Sequence, residues 1–116
     1  MFQHFEVSIA NNMNETGGLM IAVHCKSADD DLGEHYLWKD QDLRWKFRIN
    51  LFRSTLFFCS VNSGETTLRF DVFDTDYISF KCQDSSKCFW SVRDEGFYLS
   101  CDGSTFEKQH EWPSIL

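Results

Sequence analysis

Hydrophobic and polar residues alternate along residues 43–50, and this is the clearest pattern in the chain. The apolar and polar positions are Leu43, Trp45, Phe47 and Ile49 against Arg44, Lys46, Arg48 and Asn50. Because successive side chains of a strand point to opposite faces, this pattern predicts a β-strand with one buried and one solvated face. We expect Trp45 and Phe47 to lie in the core and the three basic side chains to face solvent.

Short segments of the same kind occur along the rest of the chain, separated by turn-forming residues. Strands are predicted at residues 5–9, 19–25, 35–38, 43–50, 55–61, 68–72, 77–82, 89–93 and 97–101. The apolar centre of residues 55–61 predicts a central strand with Phe57 and Val61 in the core. The residues after about 102 are interpreted as a tail in which Trp112 packs back. Eight or nine short strands at this spacing predict an all-β fold, an antiparallel β-sandwich.

Composition narrows the class of protein. With 116 residues, of which 42% are hydrophobic and 16% aromatic, the chain predicts a single domain over residues 1–116. The formal net charge of −7 disfavours nucleic acid and anionic membrane surfaces as partners. The longest apolar run, residues 19–23, is far shorter than a membrane span, so we expect no membrane insertion.

The cysteines indicate the compartment. There are five of them: Cys25, Cys59, Cys82, Cys88 and Cys101. A zinc site would show paired Cys knuckles or Cys with spaced His, and the sequence shows neither pattern. Disulfides in a secreted protein are therefore expected. The first residues lack the basic and apolar regions of a signal peptide, so Met1 is interpreted as an added initiator on the mature chain, from which the signal peptide has been removed.

The sequon Asn14-Glu15-Thr16 lies in a segment that is interpreted as a loop. Attachment of a glycan requires an accessible Asn in a secreted chain, and this position meets both conditions. The sequence therefore predicts glycosylation at Asn14.

The sequence offers no catalytic motif. His24 and Cys25 are consecutive, and on a strand their side chains point to opposite faces, so they cannot act as a base and a nucleophile together. A Gly-rich phosphate loop, a nucleophile elbow and a zincin sequence are all missing. We expect a protein that is not an enzyme and that needs no cofactor or metal.

Seven motifs follow one another along most of the chain. They are HCKS (24–27), DDDLG (29–33), WKFRIN (45–50), TLFFC (55–59), FDVF (70–73), CFWSV (88–92) and GFY (96–98). In this order and spacing they resemble the plant self-incompatibility family, also called S-protein homologues. The resemblance implies a small secreted β-sandwich, cysteine-bridged, often glycosylated and without known enzymatic activity. Founding members in poppy are pistil determinants recognised by a pollen membrane protein, so it also implies a signalling ligand of a plasma-membrane receptor.

The cysteine positions that resemble those of the family are Cys25, Cys59, Cys82 and Cys88, which leaves Cys101 over. Four cysteines allow three connectivities, and the sequence alone does not separate them. The nested scheme, Cys25–Cys88 with Cys59–Cys82, closes longer loops than a Cys82–Cys88 bridge and restricts the unfolded chain more. We expect the nested scheme, with Cys101 as a partly buried free thiol.

The leading functional hypothesis is a monomeric extracellular ligand that binds a plasma-membrane receptor through its loops, where recognition residues are common. One candidate contact loop is polar and lies between two cysteines: Asp84, Ser85, Ser86 and Lys87. The other is a turn with a candidate aromatic anchor: Asp74, Asp76 and Tyr77. The alternative is a carbohydrate-binding module of the plant extracellular matrix, which would need an exposed aromatic ring beside polar side chains in a concavity.

Overall fold

The computed structural model describes residues 2–14, 20–50 and 52–114, and it consists of two packed β-sheets. The strands are β1 (Phe2–Asn11), β2 (Ile21–Lys26), β3 (Asp31–Leu37), β4 (Asp42–Asn50), β5 (Leu56–Asn62), β6 (Thr67–Asp74), β7 (Lys87–Arg93), β8 (Gly96–Ser100) and β9 (Glu107–His110). The first sheet has the order β4-β1-β7-β8-β9, and the second has the order β3-β2-β5-β6. The predicted all-β sandwich is confirmed. Met1 and Leu19, on which two sequence interpretations fell, lie outside the described residues.

The alternating pattern of residues 43–50 becomes β4, an edge strand of the first sheet. Its basic side chains are exposed as predicted, while Trp45 and Phe47 are partly buried and pack against the core. The Phe47 ring centroid lies 4.7 Å from that of Phe57 and 4.8 Å from that of Phe73. Because Phe57 and Phe73 belong to the second sheet, these aromatic contacts join the two layers.

One pair of strands is parallel, so the first sheet is mixed rather than purely antiparallel. In it β1 pairs antiparallel with β4 and parallel with β7. Alternation along each strand predicts which face is buried, but it contains no information on the direction of the neighbouring strand.

Residues 77–82 were predicted to form a strand, and this prediction is wrong. They contain a short helix, α1 (Ile78–Lys81). Oδ1 of Asp74 accepts hydrogen bonds from the backbone N–H groups of Tyr77 and Ile78, at 3.2 and 2.7 Å, and holds the chain in a turn that leads into the helix. Among the described residues no helix is long and apolar enough to span a membrane.

The residues after 102 were predicted to be a tail, but they add strand β9 to the edge of β8. Trp112 does pack back as expected, with its ring centroid 4.6 Å from that of Phe97 and its Nε1 donating to the Arg93 carbonyl oxygen at 2.8 Å. Gly96 allows this arrangement, because an added Cβ would collide with the His110 carbonyl oxygen. The short, mostly polar β9 has little alternation of its own, so the sequence pattern did not indicate it.

The predicted disulfide pairing is wrong. The bridges are Cys25–Cys59 and Cys82–Cys101, and the free thiol is Cys88 rather than Cys101. Strand register decides the first bridge, since Cys25 and Cys59 face each other across β2 and β5 with their Cα atoms 4.0 Å apart. Loop entropy, on which the nested scheme was based, does not determine which thiols meet in the folded state. Burial raises the pKa of the Cys88 thiol to about 12.

Candidate functional site

The two loops proposed from the sequence lie at the two ends of one connection. This connection runs from β6 through α1 to β7, and we call residues 75–86 the crossover segment. The turn with Asp76 and Tyr77 comes before α1, and the polar residues up to Lys87 come after it. Both candidate loops therefore belong to the same connection between β6 and β7.

The crossover segment is fixed to the sandwich at both ends. At its start, the Thr75 N–H donates to the Thr55 carbonyl oxygen at 3.1 Å. At its end, the Ser86 carbonyl oxygen accepts from the Glu6 N–H at 3.0 Å. Between these points the Cys82–Cys101 bridge ties the end of α1 to the chain just after β8. A segment held in this way has little conformational freedom left to lose on binding.

Several predicted contact residues have structural roles. Asp74 starts the turn into α1, as described above. Ser85 closes the second turn, because its Oγ accepts the Lys87 N–H at 3.1 Å. Ser86 docks the loop on β1, since its Oγ accepts from Nε2 of Gln3 at 3.2 Å. The scaffold therefore explains why these side chains are polar.

Other side chains of the crossover segment, and the adjoining Lys87, are exposed. Tyr77 is 57% exposed and Phe80 is 69% exposed, and Asp76, Asp84 and Lys87 are exposed as well. In a strand, residues 78 and 80 would share a face, whereas in a helix they lie on nearly opposite sides. Ile78 is accordingly buried and Phe80 points outward. Sequence reasoning missed Phe80 because it assigned this segment to a strand.

A second feature lies next to the crossover segment, where the edge strands of the two sheets meet. A cavity of about 400 Å³, which we call the β6–β9 cleft, opens between β6, the start of α1 and β9. Its lining residues are Arg69, Phe70, Asp71, Asp74, Tyr77, Ile78, Trp90, Gln109 and His110. It includes Asp74 and Tyr77 of the predicted turn but also the last strand, which the sequence did not predict.

The floor of the cleft is aromatic. The Phe70 ring centroid lies 4.9 Å from that of Trp90 and 5.3 Å from that of His110. Trp90 is 2% exposed, and its Nε1 donates to the Val72 carbonyl oxygen at 2.9 Å, so its polar atom is satisfied. Burial lowers the pKa of His110, and the nearby Asp71 carboxylate partly opposes this effect.

Both strands that border the cleft contain a register shift. In β6 the register moves by one residue between Asp71 and Phe73, and in β9 it moves by one residue between Lys108 and His110. Such bulges re-aim side chains and are common beside binding sites. They depend on pairing between strands, so no local pattern revealed them.

The remaining sequence predictions fall elsewhere on the molecule. Asn14 is exposed; its N–H donates to the Asp94 carboxylate at 3.2 Å, and its Oδ1 accepts from Nζ of Lys39 at 3.0 Å. Residues 15 and 16 of the sequon lie outside the described residues, and glycosylation stays a prediction. Cys25 is bonded to Cys59, so it offers no thiol to His24. Within residues 2–14, 20–50 and 52–114, no three His, Cys, Asp or Glu side chains come together as a group able to hold a metal ion.

Exposed aromatic side chains also occur outside the crossover segment. Tyr36 on β3 is 56% exposed, and Phe52 between β4 and β5 is 87% exposed. The strand order separates β3 from β6 by two intervening strands, which corresponds to about 14 Å between them. Tyr36 is therefore the matched control for Tyr77 and Phe80.

Comparisons with known proteins give a consistent result. A family model described as "Plant self-incompatibility protein S1" matches residues 6–112. S-protein homolog 5 of Arabidopsis thaliana is 35% identical over 92 residues, which are 79% of this chain and 70% of that protein. S-protein homolog 29 of the same plant is 34% identical over 107 residues, which are 91% of this chain and 76% of that protein. Some relatives are longer: the match spans 51% of S-protein homolog 24, which is 35% identical over 68% of this chain.

A solved structure has the same fold. It aligns with a TM-score of 0.73 and 19% sequence identity, covering 97% of this chain and 96% of that one. It is described as a self-incompatibility protein homologue, from a widespread family of small, highly stable, secreted proteins from plants. The extracellular location predicted from the cysteines agrees with that description.

Proposed function

Because the chain belongs to the plant self-incompatibility S1 family of small secreted plant proteins, we propose that it is an extracellular ligand for a plasma-membrane receptor protein. The crossover segment is the contact surface, with Tyr77 and Phe80 as its anchors. In this role the protein acts as a monomer and has no catalytic activity.

The observation that carries the proposal is the exposure of two large aromatic side chains on a segment fixed at both ends. Large aromatic residues dominate the binding energy of many protein interfaces, because they fill pockets of the partner and lose little conformational freedom. The fold itself gives Phe80 no packing role that would require an aromatic ring, since this ring is 69% exposed. The hydrogen bonds and the disulfide that fix the segment reduce the entropy lost on binding.

Charged side chains lie near the two anchors along the chain. Asp76, Asp84 and Lys87 are exposed, and they would form the rim of an interface centred on Tyr77 and Phe80. Rim charges mainly affect the rate and specificity of association, while buried anchors determine most of the affinity. Replacing both Asp84 and Lys87 by Ala should therefore leave folding intact and weaken binding less than loss of either ring.

The test measures binding of the labelled, disulfide-bonded protein to plant plasma-membrane vesicles. We expect saturable binding that protease treatment of the vesicles abolishes, because the proposed receptor is a protein. Phe80→Ala and Tyr77→Ala should each weaken this binding by more than about tenfold, as expected for residues that anchor an interface. The matched control Tyr36→Ala should bind like the unmodified protein.

Two results would contradict the proposal. One is the absence of saturable, protease-sensitive binding to membranes from all plant tissues tested. The other is a set of variants in which Tyr36→Ala weakens binding while Phe80→Ala does not, which would move the contact surface away from the crossover segment.

A further inference from the structure

We propose that the β6–β9 cleft is a binding site for a neutral sugar residue. This inference goes beyond receptor binding and does not depend on it, because the polar side chains of the cleft, Asp71, Gln109 and His110, lie outside the crossover segment, although Tyr77 borders both surfaces. The sugar could belong to a cell-wall polysaccharide or to the N-glycan of a membrane protein. Both sources present the same chemistry, a ring with an apolar face and several hydroxyl groups.

Size and aromatic lining are the first argument. A cavity of about 400 Å³ lies within the range of ligand pockets in proteins, roughly 300–1,000 Å³. Tyr77 stands at its border with 57% of its surface exposed, and Phe70 and Trp90 form the floor. The C–H groups on one face of a sugar ring pack well against an aromatic ring, and the phenol oxygen adds a polar contact beside it.

The polar groups of the cleft are the second argument. A sugar hydroxyl both donates and accepts hydrogen bonds, so a site for it needs both kinds of partner. The Asp71 carboxylate accepts, and a neutral His110 ring carries one donor and one acceptor nitrogen. Within the described part of the chain neither side chain makes a side-chain hydrogen bond, and Gln109 uses only Nε2, which donates to the Glu107 carbonyl oxygen at 3.3 Å. Oxygen and nitrogen atoms therefore remain for a ligand.

The backbone arrangement is the third argument. Both edge strands that border the cleft carry a one-residue register shift, at Val72 in β6 and at Gln109 in β9. In β9 the extra residue is Gln109, and His110 follows it, so this bulge changes the direction of two side chains that line the cavity. In β6 the exposed Arg69 and Asp71 alternate regularly with the buried Phe70 and Val72 up to the shift, so Asp71 borders the cavity from the exposed face of the edge strand.

Charge selects the kind of sugar. Asp71 and Asp74 place two carboxylates in the lining, whereas Arg69 supplies one guanidinium, which stacks 4.2 Å from the Phe58 ring centroid on the outer face of β5. With a formal net charge of −7 on the whole chain, an anionic sugar such as a uronic acid is repelled. A neutral sugar avoids this penalty.

The experiment uses the intact, disulfide-bonded protein labelled with ¹⁵N. Neutral cell-wall oligosaccharides, N-glycans released from membrane glycoproteins and oligogalacturonate are titrated separately, and amide chemical shifts are followed. We expect saturable shifts of cleft residues with one of the neutral classes and none with oligogalacturonate. A response to cell-wall oligosaccharides identifies the wall as the source, and a response to N-glycans identifies a glycoprotein.

Variants test the position of the site. Asp71→Ala and Gln109→Ala should each weaken sugar binding at least tenfold while their thermal unfolding remains close to that of the unmodified protein. Phe80→Ala and the matched control Tyr36→Ala should leave sugar binding unchanged. The receptor assay separates the two proposals, since Phe80→Ala should weaken binding to membrane vesicles while it leaves sugar binding unchanged.

The inference is overturned by any of three results. These are no shifts with either neutral class at the highest soluble concentration, shifts that are unaffected by Asp71→Ala and Gln109→Ala, or stronger binding of oligogalacturonate than of neutral sugars.

Discussion

At the scale of single residues, Phe47 shows that a side chain can join the two sheets without being fully buried. Phe47 lies on an edge strand and is partly exposed, yet its ring meets Phe57 and Phe73 of the opposite sheet. The neighbouring Lys46 belongs to the same strand and faces solvent. Substitutions at these two positions therefore separate the contribution of side-chain packing to the free energy of unfolding from the contribution of strand propensity.

Phe47→Ala should lower the free energy of unfolding by about 3 kcal/mol, the lower end of the range for Phe→Ala changes, because the ring is only partly buried. The measurement is the denaturant midpoint at constant m-value. Lys46→Ala is the control and should change stability by no more than about 0.5 kcal/mol. Equal effects of both changes would show that the Phe47 ring does not join the sheets.

His110 gives a second prediction at this scale, concerning pH. Burial lowers the pKa of this residue in the folded protein below its ordinary value of 6.5. The unfolded chain therefore binds the proton more tightly than the folded one. The stabilising contribution of a neutral His110 is complete above the unfolded pKa and is lost as pH falls through 6.5 towards the folded pKa.

The measurement compares denaturant midpoints at about pH 7.5 and pH 5.5. The unmodified protein should lose more stability over this interval than His110→Gln, which does not titrate there. Because the side chain is partly exposed, the difference should be small. An identical loss in both proteins would mean that His110 has the same pKa in the folded and unfolded states.

At the scale of secondary-structure elements, the crossover segment depends on one covalent bond. The Cys82–Cys101 bridge joins the end of α1 to the chain just after β8, whereas Cys25–Cys59 joins two neighbouring strands that also share a hydrogen-bonded ladder. Loss of the first bridge should therefore loosen a connection, and loss of the second should weaken a sheet.

The double change Cys82→Ala with Cys101→Ala should cost about 3 kcal/mol, from the chain entropy of a loop with a sequence separation of 19 residues. It should also speed amide hydrogen exchange in residues 75–86 before global unfolding, which mass spectrometry can localise. The double change is needed because a single one would leave a thiol free to pair with Cys88. Unchanged exchange in this segment would show that its hydrogen bonds fix it without the bridge.

Mapping the free cysteine by alkylation checks the disulfide pairing on which the previous prediction depends. Alkylation of the unreduced protein after denaturation should modify Cys88, because the other four cysteines form the two disulfide bridges. The folded protein should resist the reagent, since burial raises the pKa of Cys88 to about 12. Modification of Cys101 instead would support a pairing different from the one in the structure.

At the scale of the whole molecule, the two proposed surfaces arise from one topological fact. The chain leaves β6 at the edge of one sheet, forms α1, and enters the other sheet at β7, in its middle. This connection carries the exposed rings of Tyr77 and Phe80. Strand β9 forms the edge of the first sheet, and the cleft lies between it and β6 at the edge of the second sheet. One end of the sandwich therefore carries both a candidate protein contact and a candidate sugar site, with Tyr77 at their border.

Much of this architecture was predictable from the sequence, and the exceptions share a cause. The strands around Phe47, Phe57 and Val61 were predicted with the correct buried face, because alternation is a local property that any sheet must respect. The helix at Ile78–Lys81 was missed because four residues are too few to show a helical period. Of the residues that line the cleft, Asp74 and Tyr77 were named from the sequence as candidate receptor contacts, but Gln109 and His110 were not.

The sequence by itself determined which side chains are buried along strands such as β4 and β5, the all-β class, and membership of the family through motifs spread over the chain. Tertiary structure alone decided the disulfide partners, the parallel pairing of β1 with β7, and the cleft between β6 and β9. The physical reason is the separation along the chain of the residues that interact. Alternation depends on neighbours one or two residues away, whereas register, bulges and the meeting of two sheet edges depend on contacts between residues far apart in the chain, which one sequence does not encode in any local pattern.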